Sequence, residues 1–275
     1  MEKVIGIIDL KSFYASCECA VRHLDIFKTP LVCCDPYRSE SSIVMSVTPY
    51  LKERYGVSNV CRKRDLPTIP GMIYAVPRMS YYLQVSSYVV NIFLKYVSYE
   101  DLHVYSVDES FLNLGPYIKM YGSPERMIQL IQQEIFNRLG LIATAGIGPN
   151  MFLAKIALDN EGKKKKPFLA HWTYEDVPTK LWKIKPIDKI WSIAEGTKSH
   201  LARIGINSLE GLAKANSKFL EREFGVMGLQ LKNLANGRDD SNIREKVVPS
   251  IRPYLTGRLL ESHYSQTNVC FFLEK

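Results

Sequence analysis

The chain opens with Val4-Ile5-Gly6-Ile7-Ile8, a run without a single polar side chain that ends directly in Asp9. A strand with one wet face alternates polar and apolar residues. An unbroken apolar run reads instead as a central strand covered on both faces. The protein must therefore build a sheet around this segment, and Asp9 marks the segment's end.

The same patterning divides the rest of the chain. Ser12 is placed to cap a helix beginning near Phe13. Residues 19–75 are cut by Pro30, Pro36, Pro49, Pro67 and Pro70, which predicts short elements. From Val76 the order returns. Tyr81 to Lys95 reads as a helix, with Tyr81, Val85, Val89 and Phe93 four apart. His103 to Val107 and Ser110 to Leu114 read as paired strands with Asp108 and Glu109 between them. Ser123-Pro124 opens a helix with a capping hydroxyl and then a proline at the first helical position. Met127, Ile131, Ile135 and Leu139 mark its buried stripe, and Gly140 stops it. Leu141 to Ile147 is a further strand, and Pro149 to about Asn160 a further helix. This order predicts an α+β fold, a ferredoxin-like sheet with helices on one face. Lys163 to Lys166 reads as a solvated linker or a phosphate-facing edge. Beyond Thr173 come short amphipathic helices, with Trp172, Trp182 and Trp191 as core residues and a segment capped by Ser208. Arg238-Asp239-Asp240 reads as an exposed linker.

Composition narrows the class. Lys and Arg outnumber Asp and Glu by 36 to 28, an excess that favours a polyanionic partner such as nucleic acid. The spacing of Cys17, Cys19, Cys33, Cys34, Cys61 and Cys270 matches no paired zinc framework, so reduced, partly buried thiols are expected. No stretch approaches the about 18 apolar residues of a membrane helix, and no signal peptide is visible. The expectation is a soluble, cytoplasmic protein without a membrane partner.

Asp9 ends one strand, and Asp108-Glu109 lie at the junction of two others. Neighbouring residues of a regular strand point to opposite faces, so a turn or bulge at 108–109 is needed to bring both carboxylates to one cleft. Three clustered carboxylates repel one another and resist ionisation. A pair of Mg²⁺ ions removes that conflict, since Mg²⁺ takes one or two carboxylates plus water and phosphate oxygens. Two ions about 3.5–4 Å apart suit in-line displacement at phosphorus. Hairpin-turn acids without a metal are the alternative.

Ile8-Asp9-Leu10-Lys11-Ser12-Phe13-Tyr14-Ala15-Ser16-Cys17-Glu18 resembles the first motif of the Y-family (lesion-bypass) DNA polymerases, of the UmuC-like, ImpB-MucB-SamB type. Tyr105-Ser106-Val107-Asp108-Glu109-Ser110-Phe111 is similar to the second motif, and Gly146-Ile147-Gly148-Pro149-Asn150 through Leu153-Ala154-Lys155-Ile156-Ala157 to the third. The resemblance runs from about residue 4 to about residue 246. It implies a right-hand polymerase core: a ferredoxin-like palm (1–18 and 76–165), a small fingers insertion (19–75), a helical thumb (166–240), and a linker or tail (241–275).

The resemblance also implies roles. Asp9, Asp108 and Glu109, with the carbonyl of Leu10, would hold two Mg²⁺ ions. Tyr14, beside Phe13, matches the steric gate that selects deoxynucleotides. Ser42 to Gly56 resembles the roof over the nascent base pair, with Val44 and Ser46 in it and Tyr50 on the triphosphate. Glu53 stands where a triphosphate-binding cation is expected, so Lys52 and Arg54 are the substitutes, and Lys163 is a further nucleotide-binding candidate. The thumb hairpin, Gly-Ile-Gly in the family, reads Ser192-Ile193-Ala194 here as the DNA-binding element. Partners would be primer-template DNA and deoxynucleoside triphosphates. No sliding-clamp motif is evident, and no recombinase partner is readable.

About 35 residues follow Asp240, too few for the family's little-finger domain, so a chain truncated before that domain is expected. Two other readings stay open: a weakly active remnant that binds damaged DNA or a polymerase partner, and a nucleotide cyclase on a similar palm.

Overall fold

The computed structural model describes residues 3–245. The predicted tail from Lys246 lies outside the described residues. Residues 3–13 and 80–245 form one compact unit, and Tyr14–Met79 another.

The larger unit is built on strands β1 (Ile5–Leu10), β5 (Leu102–Val104), β6 (Glu109–Asn113), β7 (Ala143–Gly148) and β8 (Leu169–His171), in the order β5-β6-β1-β7-β8. The first four, with helices α3 (Met79–Phe93) and α5 (Pro124–Leu139), make the expected ferredoxin-like βαββαβ sheet. β8 extends it, parallel to β7. β1 is central, antiparallel to both neighbours, and all six of its residues are buried. That is the arrangement its apolar run demands.

The helices are not confined to one face. A Cβ on Gly6 would approach Leu114, just beyond β6, at 2.9 Å and Ile128 of α5 at 3.1 Å. The alternate residues Ile5 and Ile7 instead pack with Phe111 against Met151, Ala154 and Leu158, at and just beyond helix α6 (Met151–Ala157). The reason lies in β7. A Cβ on Gly146 would sit 2.1 Å from the Ala154 carbonyl oxygen and 2.5 Å from the Leu158 nitrogen, and one on Gly148 would sit 2.6 Å from the Ala154 nitrogen. Only glycine lets the α6 backbone lie directly on the strand. Gly146→Ala is therefore expected to destabilise the fold by about 1–3 kcal/mol, because the obstructing atoms are backbone and cannot rotate away. An unchanged urea midpoint for this variant would contradict the packing.

Capping follows the sequence closely. Ser123 Oγ accepts from Arg126 N, Pro124 opens α5, and Gly140 closes it in a left-handed conformation (φ 67°). Asn150 Oδ1 caps α6 by accepting from Leu153 N, while its Nδ2 donates to the Gly237 carbonyl at 2.7 Å. Ser12 differs from expectation: it precedes helix α1 (Phe13–Val21) with φ 49°, a left-handed turn residue, not the extended backbone usual for a cap.

After β8 the chain enters a helical region: α7 (Asp176–Thr179), α8 (Glu195–Arg203), α9 (Leu209–Lys214), α10 (Ser217–Phe224) and α11 (Val226–Ala235). Its core joins Trp172, Leu181, Ile190, Ile193, Leu201, Leu212, Leu220 and Leu231 to Phe152, Leu153 and Ile156 of α6. Trp182 and Trp191 pack at the edge of this core. The expected exposed linker after Gly237 is instead partly docked. Asp239 Oδ2 accepts from Phe152 N at 3.0 Å, and Ile243 is buried beside Ile5 and Ile7. Arg244 forks onto Asp101 at 2.9 and 3.1 Å.

The smaller unit carries a three-stranded sheet, order β3-β2-β4, from β2 (Leu31–Cys33), β3 (Ser46–Val47) and β4 (Ile73–Ala75). Helix α2 (Pro49–Tyr55) follows β3. Val32, Cys34, Val44, Val47, Leu51 and Val57 are its core. The five described cysteines are unbridged, as expected, and burial pushes the Cys19 thiol up to about 11. No described helix is long and apolar enough to cross a membrane.

Candidate active site

Strand pairing assembles the acids. Asp9 on β1 lies opposite Glu109 on β6 and Thr144 on β7, and residues directly opposite share a face of a sheet. Asp108 is brought in by a turn. Tyr105 N and Ser106 N both donate to the Glu109 carbonyl at 3.0 Å, which closes residues 105–108 into a tight turn; the turn expected at 108–109 thus falls earlier, and Tyr105 to Val107, expected as strand, belong to it. Leu10 N donates to the Asp108 carbonyl at 3.0 Å, tying that turn to the end of β1. Thr144 Oγ1 lies 3.2 Å from the Asp9 carbonyl oxygen and 3.3 Å from Asp9 Oδ1, bracing the residue through both.

Two ammonium groups face these carboxylates. Lys155 Nζ donates to Glu109 Oε1 at 2.5 Å. Lys163 Nζ lies 3.0 Å from Asp9 Oδ2, 3.0 Å from Asp159 Oδ1 and 3.7 Å from Glu109 Oε1. Lys11 Nζ donates to the Lys163 carbonyl at 3.0 Å, holding the loop in place. Four carboxylates (Asp9, Asp108, Glu109, Asp159) against the ammonium groups of Lys155 and Lys163 leave the cluster net negative.

The titration directions follow from this crowding. Burial, and then the charge of Asp9, push the Asp108 carboxyl up despite its bond from Ser106. Burial and the hydrogen bond shared with Asp9 push Glu109 up against the pull of Lys155. Burial also opposes ionisation of Asp9, but Lys163 and the bond with Glu109 outweigh it and hold Asp9 below the usual carboxylate range. Burial disfavours the charge on Lys163, yet Asp9 and Asp159 more than compensate and keep it protonated. The acids thus carry a repulsion that added positive charge relieves.

That donor set fits Mg²⁺, a hard ion that takes carboxylate oxygens and completes its shell with water and phosphate. Among the described residues no three His, Cys, Asp or Glu side chains form a ready cage for one ion. An ion that needs only one or two protein carboxylates is consistent with this.

The remaining predicted residues are distributed over both units. Phe13 is buried (3% exposed), whereas Tyr14 keeps accessible surface. In the smaller unit Val44 is fully buried in the core and Ser46 is buried on β3. A residue with no accessible surface acts through its neighbours. Tyr50 is half-buried, with the Arg54 guanidinium 5.8 Å from its ring centroid. Lys52 is half-buried and Arg54 exposed on the same helix. Glu18 is completely buried and bound by both Arg22 and Arg78, an ion cluster internal to this unit.

In the hairpin of the helical region, Ile193 is buried and Ser192 and Ala194 are exposed. Ser192 has φ 80°, a conformation that glycine adopts freely and serine does not. Ser192→Gly is expected to raise stability by about 0.5–1 kcal/mol. It relieves a left-handed residue worth about 1–2 kcal/mol and returns part of that to the unfolded chain. A urea midpoint no higher than that of the parent would refute this.

Sequence reading missed Lys155, Asp159, Thr144 and Ser106 as members of the site. One signal was available: Lys155, Asp159 and Lys163 are spaced i, i+4, i+8, a ladder of alternating charge on one face.

Solved structures share this fold. The insertion ternary complex of Dbh DNA polymerase superposes with TM-score 0.71 and 25% identity over 87% of this chain and 69% of that one. The architecture is thus the palm, fingers and thumb of a Y-family polymerase core. Residues 8–159 match the impB/mucB/samB family model, more than half of the chain, and the protein belongs to that family. It is 38% identical over 265 residues to a Bacillus subtilis (strain 168) protein named as UV-damage repair protein UvrX, covering 96% of this chain and 62% of that one. It is 34% identical over 244 residues to DNA polymerase IV 2 of the same organism, covering 88% and 58%. The chain thus spans about three fifths of the length of these relatives.

Proposed function

We propose that this chain carries the catalytic core for template-directed DNA synthesis past damaged bases, acting in the cytoplasm on primer-template DNA and deoxynucleoside triphosphates as part of a damage (SOS-type) response. The observation that carries the reading is the convergence of Asp9, Asp108 and Glu109 at hydrogen-bonded strand ends. In this reading residues 1–18 and 76–165 act as palm, 19–75 as fingers and 166–240 as thumb.

Asp9, Asp108, Glu109 and the Leu10 carbonyl would hold two Mg²⁺ ions. When bound, Mg²⁺ supplies charge neutralisation at the triphosphate and lowers the pKa of the primer 3′-hydroxyl. The chain's own groups do the positioning. Thr144 orients Asp9, and Lys155 holds Glu109 against the sheet. Lys163 offers its ammonium to the triphosphate, in place of the cation that Glu53 does not supply, with Tyr50, Lys52 and Arg54 as further contacts. Tyr14 excludes the ribose 2′-hydroxyl, and the buried Phe13 anchors the start of α1. Ser46 belongs to the roof, and Val44 shapes it from inside. The Ser192-Ile193-Ala194 hairpin would face DNA phosphate.

The test is incubation with Mg²⁺ and a primed template carrying an abasic site or intact bases, with all four deoxynucleoside triphosphates. Primer elongation is expected. DNA binding without elongation would favour a non-catalytic role, and cyclic nucleotide formed from triphosphate alone would favour a cyclase.

A further inference from the structure

One side chain organises the turn that presents Asp108. Ser106 Oγ lies 2.8 Å from Asp108 Oδ1, 3.4 Å from Asp108 N and 3.1 Å from Glu109 N. Counting hydrogens settles the direction of each bond. A serine hydroxyl has one proton and two lone pairs. Both backbone nitrogens are donors and take the lone pairs, so the single proton is left for the carboxylate oxygen. The bond from Ser106 to Oδ1 is therefore one-directional, and it is charge-assisted when Asp108 is ionised.

Asp108 has particular need of such a bond. Glu109 and Asp9 sit on strands whose ladders fix their side-chain direction, whereas Asp108 belongs to the turn between β5 and β6. Among the described residues its backbone is anchored through its carbonyl to Leu10 and its N–H to Ser106. Ser106 supplies the side-chain hydrogen bond that ties its carboxylate. Among the described residues no side chain of another residue donates to Asp108 Oδ2, so tying Oδ1 leaves Oδ2 presented. On Asp9 the Thr144 hydroxyl shares its one proton between the backbone carbonyl at 3.2 Å and Oδ1 at 3.3 Å, and Oδ2 faces the cation of Lys163.

We infer that Ser106 is a positioning residue for metal binding: it fixes Oδ1 of Asp108 so that Oδ2 is the oxygen that takes the divalent cation. The inference rests on the assignment of Asp108 as a metal ligand made under the proposed function. Hydrogen-bond partners of metal ligands typically control affinity by 10- to 100-fold, and the effect expected here is about tenfold.

The experiment is titration of the full chain with Mn²⁺ alone, reading the free ion by electron paramagnetic resonance. Wild type, Ser106→Ala, Ser106→Thr, Ser106→Val and Asp108→Ala are compared. Ser106→Ala is expected to weaken Mn²⁺ binding about tenfold, approaching Asp108→Ala, while Ser106→Thr stays close to wild type. Threonine and valine share a shape and differ by the hydroxyl, so this pair separates positioning from packing even if the alanine variant melts. In primer extension, Ser106→Ala should raise the Mg²⁺ concentration for half-maximal rate by a similar factor and leave the deoxynucleotide KM unchanged. Equal Mn²⁺ affinity in wild type and Ser106→Ala, no advantage of threonine over valine, or no Mn²⁺ binding by the wild type would each overturn the inference. A wild type that binds Mn²⁺ through Asp108 and Ser106 but elongates no primer would instead sink the proposed function and leave this inference standing.

Discussion

Asp108→Ala and Glu109→Ala are each expected to reduce primer extension by about three orders of magnitude or more. Loss of a ligand at a two-metal centre removes several kcal/mol of transition-state charge stabilisation, and each 1.36 kcal/mol is tenfold in rate. The two variants should differ in stability, which makes the pair informative. Asp108 is a partly buried carboxyl whose ionisation is opposed by burial and by Asp9. Removing it relieves repulsion, so its melting temperature should hold or rise. Glu109 is the acceptor for Lys155, an ammonium whose side chain is only 10% exposed. Among the described residues alanine there leaves that cation with Asp159, at 3.5 Å, as its ion-pair partner, and should lower the melting temperature. Glu109→Gln keeps an acceptor and separates the two effects. Extension at the wild-type rate by any of these variants would remove the assignment of the acids as metal ligands.

Tyr14→Ala is expected to raise ribonucleotide incorporation by roughly 30- to 150-fold while changing deoxynucleotide use only a few-fold. A clash with one added oxygen in a packed site costs on the order of 2–3 kcal/mol, and removing the ring returns it. The neighbouring Phe13 is the internal control. It is buried at the start of α1, so Phe13→Ala should act on the fold, at about 3–5 kcal/mol, and not on sugar choice. Relaxed sugar selection in Phe13→Ala but not in Tyr14→Ala would move the gate by one residue.

What could be read from sequence and what could not divides along physical lines. β1, α5 with its serine cap and glycine stop, and the turn that unites Asp108 with Glu109 were legible because each follows from local chemistry: an apolar run, a cap, a need to turn. The helix from Tyr81 was also legible, though its buried stripe uses Tyr82 and Ile92 where a strict four-residue spacing placed Tyr81. A 3.6-residue period drifts from a spacing of four. Three things were not legible. The close seating of α6 on β7 depends on what would strike the missing Cβ of Gly146 and Gly148, and only coordinates reveal that. Lys155 belongs to the site because α6 lies that close, so its role was hidden with the packing. The docking of Asp239, Ile243 and Arg244 was masked by composition, since a charged run reads as solvated when its partners, such as Phe152 and Asp101, lie 87 and 143 residues away.

That docked segment also decides how mechanical load enters the molecule. The helical region leaves the sheet through β8 and comes back to it through Asp239, Ile243 and Arg244, so both of its ends are clamped to the same sheet unit. Tension on the chain beyond Glu245 reaches the bidentate Arg244–Asp101 fork first, then the buried Ile243, and only then α11. Asp101 is itself braced by Asn113 on β6 and by Tyr117, at 2.8 and 2.9 Å. A pull from downstream is thereby grounded in the strand that bears Glu109 before it reaches the helical region.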